Sequence, residues 1–169
     1  MNEAHIEIER KFLIRIPCIS DMEALPQFRI RKIKQTYLKS EAGVSARVRK
    51  LEENSVSSYI KTTKKRISTL SCFEDESEIS LEEYEALLLT ADQEKKSINK
   101  IRYSFAFDNH IIEIDVYDFW NDRATLEIEL SSEDEAFSIP PFISVIKEIS
   151  ADKRYKNTSL AKIVPYDEI

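Results

Sequence analysis

The chain has 169 residues, 42% hydrophobic and 33% charged, with a formal net charge of −6; this is the balance of a soluble globular domain and argues against nonspecific nucleic-acid binding, which needs a basic surface. No apolar run approaches the roughly 20 residues of a membrane helix, and the only cysteines, Cys18 and Cys72, lack metal-ligand spacing, so free thiols in a reducing cytoplasm are expected. Gly43 is the only glycine and His5 and His110 the only histidines, which excludes a glycine-rich phosphate loop, a histidine-based zinc site and a histidine-based triad.

Alternation of apolar and charged residues predicts a first strand over 4–16. Side chains on a strand alternate between faces, so Glu7, Glu9 and Lys11 project together while Ile6, Ile8, Phe12 and Ile14 mark the other face. Two carboxylates at that spacing can hold a hard divalent cation, and a lysine beside them can hold phosphate. A short helix near 20–25 is followed by strands over 29–40, 44–51, 56–65 and 68–79. Ser80 and Glu83 form a capping box that opens a helix running to about 95, with Leu81, Tyr84, Leu87 and Leu88 as its apolar stripe. Strands over 98–108, 110–118 and 123–131 come next, and Pro140-Pro141 opens a second helix through about 150, with Phe142, Val145, Ile146 and Ile149 on one face.

The last three long strands share one parity. Ile101, Tyr103 and Phe105 oppose Lys100 and Arg102; Ile112, Ile114 and Val116 oppose Glu113 and Asp115; Leu126, Ile128 and Leu130 oppose Glu127 and Glu129. A one-sided antiparallel sheet with a solvated polar face produces such a pattern, and so does a barrel with a charged interior. Like charges at i and i+2 cost energy unless a counter-charge or ligand offsets them, which speaks for the barrel.

Taken in order, Glu7-x-Glu9-x-Lys11, Gln35-Thr36-Tyr37-Leu38, Arg47-Val48-Arg49, Tyr59-Ile60-Lys61, Glu74-Asp75-Glu76-Ser77-Glu78, Lys100-Ile101-Arg102, Glu113-Ile114-Asp115, Glu127-Ile128-Glu129 and Asp152-Lys153-Arg154-Tyr155-Lys156-Asn157 resemble the motifs of the CYTH family, the triphosphate tunnel metalloenzymes, in their short standalone bacterial form. The resemblance implies a mainly β fold, an eight-stranded antiparallel β-barrel tunnel with a few covering helices, as a single domain over 1–169. It implies metal-dependent hydrolysis of a triphosphate, inorganic triphosphate first, with Mg²⁺ or Mn²⁺ as cofactor. Adenylate cyclase, thiamine triphosphatase and a non-catalytic polyphosphate- or nucleotide-binding module stay open as alternatives. By motif, Lys11, Arg47, Arg49, Lys61, Lys100 and Arg102 would bind phosphate, and Glu7, Glu9, Glu76, Glu127 and Glu129 the metal. Glu74, Glu78, Glu113 and Asp115 would support them, Glu113 and Asp115 as ion-pair partners of Lys100 and Arg102. Tyr37 would pair with Lys11 near the attacking water, Lys11 serving as base or as fixed charge. The implied partner is a small-molecule triphosphate, with no nucleic acid and no membrane, for a cytoplasmic monomer or homodimer. Three positions depart from the pattern: Cys72 where similar members carry arginine, Thr36 in place of a glycine, and Thr62-Thr63 in place of a glycine-containing turn.

Overall fold

The computed structural model describes residues 5–169. In chain order the elements are β1 (His5–Arg15), α1 (Ile19–Glu23), β2 (Arg29–Leu38), β3 (Val44–Glu53), β4 (Val56–Arg66), β5 (Ser71–Ile79), α2 (Leu81–Leu88), β6 (Ile98–Phe107), β7 (His110–Tyr117), β8 (Arg123–Leu130), β9 (Val145–Glu148), a 3-10 turn (Lys153–Tyr155) and α3 (Asn157–Leu160). The strands form one antiparallel sheet in the order β5-β4-β3-β2-β6-β7-β8-β1-β9. Pairing of His5–Ile8 in β1 with Ser71–Glu74 in β5 closes the eight long strands into a barrel. Beyond Ile8, β1 leaves β5 but stays on β8, and its free edge takes β9 at Phe12–Ile14.

Tight hairpins in a chain with one glycine need residues that tolerate the left-handed region. Asn54-Ser55 (φ 49° and 66°) joins β3 to β4, and Asp108-Asn109 (φ 47° and 67°) joins β6 to β7. Two consecutive positive φ angles match the twist of the flanking strands, and Asn and Asp reach them at least cost.

The apolar parity of β6–β8 faces away from the barrel interior. Phe105, Ile112, Ile114, Leu126 and Ile128 are buried there with Phe12, Met22 of α1 and Ile143. On the opposite flank α2 lays Tyr84 over Leu38, Ala46 and Val48, with the Tyr59 ring 4.8 Å away. A third cluster lies inside: Leu13, Tyr37, Ile98 and Tyr117 meet Trp120 and Tyr155 and plug one end of the barrel. The C-terminal tail ties this plug down, Trp120 Nε1 donating to the Pro165 carbonyl (3.1 Å) and Tyr155 to Asp167 (2.9 Å).

Two expectations are corrected. The capping box at Ser80 and Glu83 is present, but the helix ends at Leu88 and not near 95. No helix spans 140–150; Pro140–Ile143 is a turn, and β9 follows it. The apolar spacing there suits a helix or a strand equally, and the free edge of β1 supplies ladder partners that settle it as a strand.

Candidate active site in the barrel interior

Strand parity builds the interior. Glu7, Glu9 and Lys11 of β1, Arg31 and Tyr37 of β2, Arg47 and Arg49 of β3, Thr62, Lys64 and Arg66 of β4, Cys72, Glu74 and Glu76 of β5, Arg102 of β6, Glu113 of β7 and Glu127 and Glu129 of β8 line two chambers. These have volumes of about 250 and 380 Å³ and share Glu7, Glu9, Arg47, Lys64 and Asn157, so they form one continuous space.

Most of the interior charges are matched. Lys11 Nζ lies 2.7 Å from Glu127, whose other oxygen accepts from Arg102 at 3.0 Å. Arg102 also grips Asp115 through Nε (2.6 Å) and Nη2 (2.7 Å) and bonds Glu113; Lys100 reaches Asp115 at 2.5 Å. Arg49 bonds Glu76 (2.5 Å), which also accepts from Thr62 (3.0 Å). Lys64 joins Glu7 to Glu74, 2.7 Å from the latter. Yet among the described residues Nε of Arg31, Arg47 and Arg49 is buried in each case with no acceptor. A buried donor without a partner carries its full desolvation penalty, about 1–3 kcal/mol. Three guanidinium groups facing one space with unspent donors suit a polyanion.

Ionisation follows from this web. Burial pushes the Glu9 carboxyl up to about 7, and nearby Glu127 adds to the effect against Lys64. Burial disfavours the Lys11 ammonium, but Glu127, Tyr117 and Glu9 outweigh it and its pKa is raised, so Lys11 stays charged. Burial would likewise raise Glu127, but Lys11 and Arg102 hold it well below the carboxylate range. Burial and the neighbouring Arg47 lower Arg49 to about 10. Tyr37 is raised by burial; its hydroxyl accepts from Gln35 (2.9 Å) and from Arg47, keeping its own proton for a further acceptor.

The expected residues divide accordingly. Glu7, Glu9, Lys11, Tyr37, Arg47, Arg49, Glu76, Arg102, Glu127 and Glu129 are brought together, with Glu74 and Glu113 beside them. Lys100 and Asp115 lie deeper as a buried ion pair. Glu78 is exposed at the end of β5. Lys61 is not in the site: it pairs across the sheet with Val48 on the outer face and acts electrostatically on Glu83 of α2. Its place is taken by Lys64, three residues on and therefore of the opposite parity. Tyr37 bonds Gln35 and Arg47, while Lys11 bonds Glu127, so the expected direct Lys11–Tyr37 pair is absent. The raised pKa keeps the Lys11 ammonium charged beside Glu127.

The three departures have local accounts. Thr36 faces outward, its hydroxyl 2.8 Å from that of Ser97, and β2 runs through it unbroken. Thr62 and Thr63 are mid-strand positions of β4, not a turn. Cys72 lines the larger chamber, its thiol donating to Glu7 (3.2 Å) and pushed up to about 12 by burial and by that carboxylate against Lys64. Lys64, Arg31 and Arg66 stand outside the quoted motifs, while Gln35, Lys156 and Asn157 lie within them without an assigned role; Lys156 and Asn157 line the chambers.

Among the described residues no three His, Cys, Asp or Glu side chains converge as a ready-made metal cage. The donor set is nonetheless all oxygen, as Mg²⁺ and Mn²⁺ prefer. Burial first, and then the like charges of Glu127 and Glu7, hold the Glu9 proton near neutrality, a cost that a divalent cation would relieve. The residues fit such an ion.

The CYTH domain model matches residues 5–140. An inorganic triphosphatase from Nitrosomonas europaea is 32% identical over 164 residues, covering 94% of this chain and 99% of the relative. An inorganic triphosphatase from Acetivibrio thermocellus is 31% identical, covering 92% and 93%. A crystal structure of an inorganic triphosphatase superposes with a TM-score of 0.58 at 28% identity over 94% of this chain and 96% of the other. A Pyrococcus horikoshii protein at 18% identity, with 76% and 81% coverage and a TM-score of 0.60, shares the fold.

Proposed function

Since this chain belongs to the CYTH domain family, we propose that it is a metal-dependent triphosphatase that cleaves a terminal phosphoanhydride of inorganic triphosphate inside the barrel. The observation that carries the reading is the set of inward guanidinium groups, on Arg31, Arg47 and Arg49, that keep buried unpartnered donors beside a row of carboxylates. The two curated relatives named inorganic triphosphatase, each matched over nearly its whole length, support it.

A triphosphate carries about four negative charges, and a site of low dielectric must neutralise them by fixed cations. Arg47 and Arg49 offer N–H donors to phosphate oxygens, and Lys64 a compact charge, while Arg102, whose N–H groups are mostly spent on Asp115, Glu113 and Glu127, adds positive charge to the wall. Lys11, held protonated by Glu127, acts as a fixed positive charge where charge develops in the transition state. Tyr37 offers its proton to a phosphate oxygen or the attacking water and is aimed by Gln35 and Arg47. Lys100 works indirectly, by holding Asp115 and through it the orientation of Arg102. Glu9, Glu127 and Glu129, with Glu7 and Glu76 at the sides, would hold Mg²⁺ or Mn²⁺. When bound, such an ion neutralises phosphate charge and makes a coordinated water more acidic.

The test is orthophosphate release from inorganic triphosphate, ATP and thiamine triphosphate with Mg²⁺ or Mn²⁺, alongside analysis for cyclic AMP and pyrophosphate. Inorganic triphosphate should give the highest kcat/KM, and a chelator should abolish turnover. A higher kcat/KM for ATP, or cyclic AMP as the main product, would overturn the assignment.

A further inference from the structure

Alternate amides of β1 face the neighbour that is first β5 and then β9. Along that edge Glu9 donates to the Leu70 carbonyl (3.1 Å) and Arg15 to the Ser144 carbonyl (3.0 Å), backbone to backbone. Lys11 lies between them, where β1 has left β5 after Ile8 and takes up β9 only at Phe12. Its amide meets a side chain instead, Ser150 Oγ, which accepts from it at 2.9 Å. The Lys11 carbonyl accepts from the Ile149 amide at 2.8 Å, so Ile149 and Ser150 clasp this one residue from both of its polar groups. The Ser150 hydroxyl proton goes to Glu148 Oε1 (2.7 Å) in preference to the Lys11 carbonyl (3.3 Å), which leaves an oxygen lone pair for the Lys11 amide. The same carboxylate holds Arg10 at two points (2.6 and 2.9 Å). Two adjacent residues of β1 are thus tied to the segment Glu148-Ile149-Ser150. The side chain carried by the clasped backbone is buried in the site, with Lys11 Nζ 2.7 Å from Glu127.

We infer that Ser150 is a positioning residue for the reaction. Its hydroxyl fixes the Lys11 backbone in the gap between the two ladders, and with it the place of the Lys11 ammonium beside Glu127 and the phosphate. The inference rests on the triphosphatase reading of the barrel and adds to it a residue that acts on Lys11 through the main chain alone. A buried amide without an acceptor admits water or shifts the strand. A shift of about 1 Å in a group aimed at the reacting atoms can cost on the order of a hundredfold in rate.

Two readouts test it: orthophosphate release from inorganic triphosphate with Mg²⁺, and hydrogen exchange of the Lys11 amide in chelator. Ser150→Ala should lower kcat about tenfold with KM within about twofold, since the displaced charge acts in the transition state. Ser150→Thr keeps the hydroxyl and should recover most of the lost turnover, while Ser150→Val, its isostere, should behave as Ser150→Ala. In Ser150→Ala, exchange at Lys11 should quicken at least about tenfold while that of Leu126, buried across the sheet in β8, stays within about twofold. Ser80→Ala, at the exposed start of α2, controls for lost stability and should match the unsubstituted protein in both readouts. Equal turnover in Ser150→Val and Ser150→Thr, or unchanged exchange at Lys11, would overturn the inference. A raised KM with unchanged kcat would make Ser150 a ligand contact on the chamber wall and overturn it too. Losses in Ser80→Ala as large as those in Ser150→Ala would assign the effect to stability, with the same consequence. If the unsubstituted protein releases no phosphate, the hydrolytic reading falls, and exchange at Lys11 alone decides whether Ser150 holds that residue.

Discussion

Lys64 lies three positions beyond Lys61, and on a strand that odd spacing sends them to opposite faces. Lys61→Ala should therefore leave kcat/KM within about twofold, whereas Lys64→Ala, which strands the buried Glu7 and Glu74 charges and removes a phosphate-facing cation, should lower it at least about tenfold. Matched steady-state kinetics decide it, and the reverse ranking would invalidate the parity assignment. The parity of β1 and β6–β8 was legible because apolar residues alternate cleanly there. That of β4 was not: Lys61-Thr62-Thr63-Lys64-Lys65-Arg66 is polar on both faces, and only the register against Glu76 and Glu74 tells them apart. The roles of Lys11 and Tyr37 sharpen in the same way. Lys11→Ala should cost about a hundredfold or more in kcat, the scale for lost charge stabilisation, and Lys11→Arg should recover part of it, which a base role would not allow. Tyr37→Phe removes an acceptor from Gln35 and Arg47 as well as a donor, so kcat should fall more than KM rises. Turnover unchanged in both Lys11→Ala and Tyr37→Phe would reduce the pair to a passive wall.

Among the elements, α2 shows how far local signals reach. Its start was readable because the capping box is local: Ser80 Oγ accepts from the Glu83 amide at 3.1 Å, and Glu83 accepts from the Ser80 amide at 2.8 Å. Ser80→Ala should cost about 1 kcal/mol, typical of a lost N-cap, read as a lower urea midpoint with unchanged m-value; no shift would mean that packing of Tyr84 alone fixes the helix. Its end was not readable, since Thr90 and Ala91 are drawn off by tertiary bonds, the Thr90 carbonyl accepting from Lys39 and Ala91 bridging Leu38. β9 was lost for a related reason. Its apolar spacing suits a helix or a strand equally, and it is a strand because the free edge of β1 supplies ladder partners, with a two-point Arg10–Glu148 ion pair (2.6 and 2.9 Å) beside them. Edge strands of this kind are specified by the neighbour that accepts them, not by their own sequence.

At the scale of the molecule, the barrel holds carboxylates matched by cations, such as Asp115, and a carboxylate crowded by burial and like charge, Glu9, and the two should leave opposite marks on stability. Asp115 is buried; burial alone would raise its carboxyl, but Arg102 and Lys100 overcome it and hold it at about 2. A folded-state pKa below the unfolded value contributes stability above about pH 4 that is lost as pH falls toward 2. Glu9 has the opposite sign. Held at about 7 by burial and Glu127, with Glu7 adding to this and Lys64 and Lys11 opposing, it binds a proton more tightly folded than unfolded. Its contribution is complete below about pH 4.3 and is lost as pH rises through 7. Lys156, pushed down to about 8 by burial and Arg66, and Lys100, pushed down to about 8 by burial, release their protons mainly above pH 7 and there offset part of the Glu9 loss. The metal-free protein should therefore be most stable near pH 4–5, with a melting temperature that declines on both sides. For a chain of this size each kcal/mol corresponds to about 2–4 °C. Glu9→Gln should flatten the neutral limb and spare the acid one, while Asp115→Asn should destabilise the protein at pH 7, because Lys100 and Arg102 lose their buried counter-charge. Saturating Mg²⁺ should raise the melting temperature more at pH 8 than at pH 5, since a cation bound at these carboxylates competes with the Glu9 proton and stabilises only the folded form. Thermal melts from pH 3 to 9, with chelator and with Mg²⁺, would read all of this. A metal-free protein whose stability rises steadily from pH 5 to 8 would show that Glu9 is not the carboxylate left uncompensated.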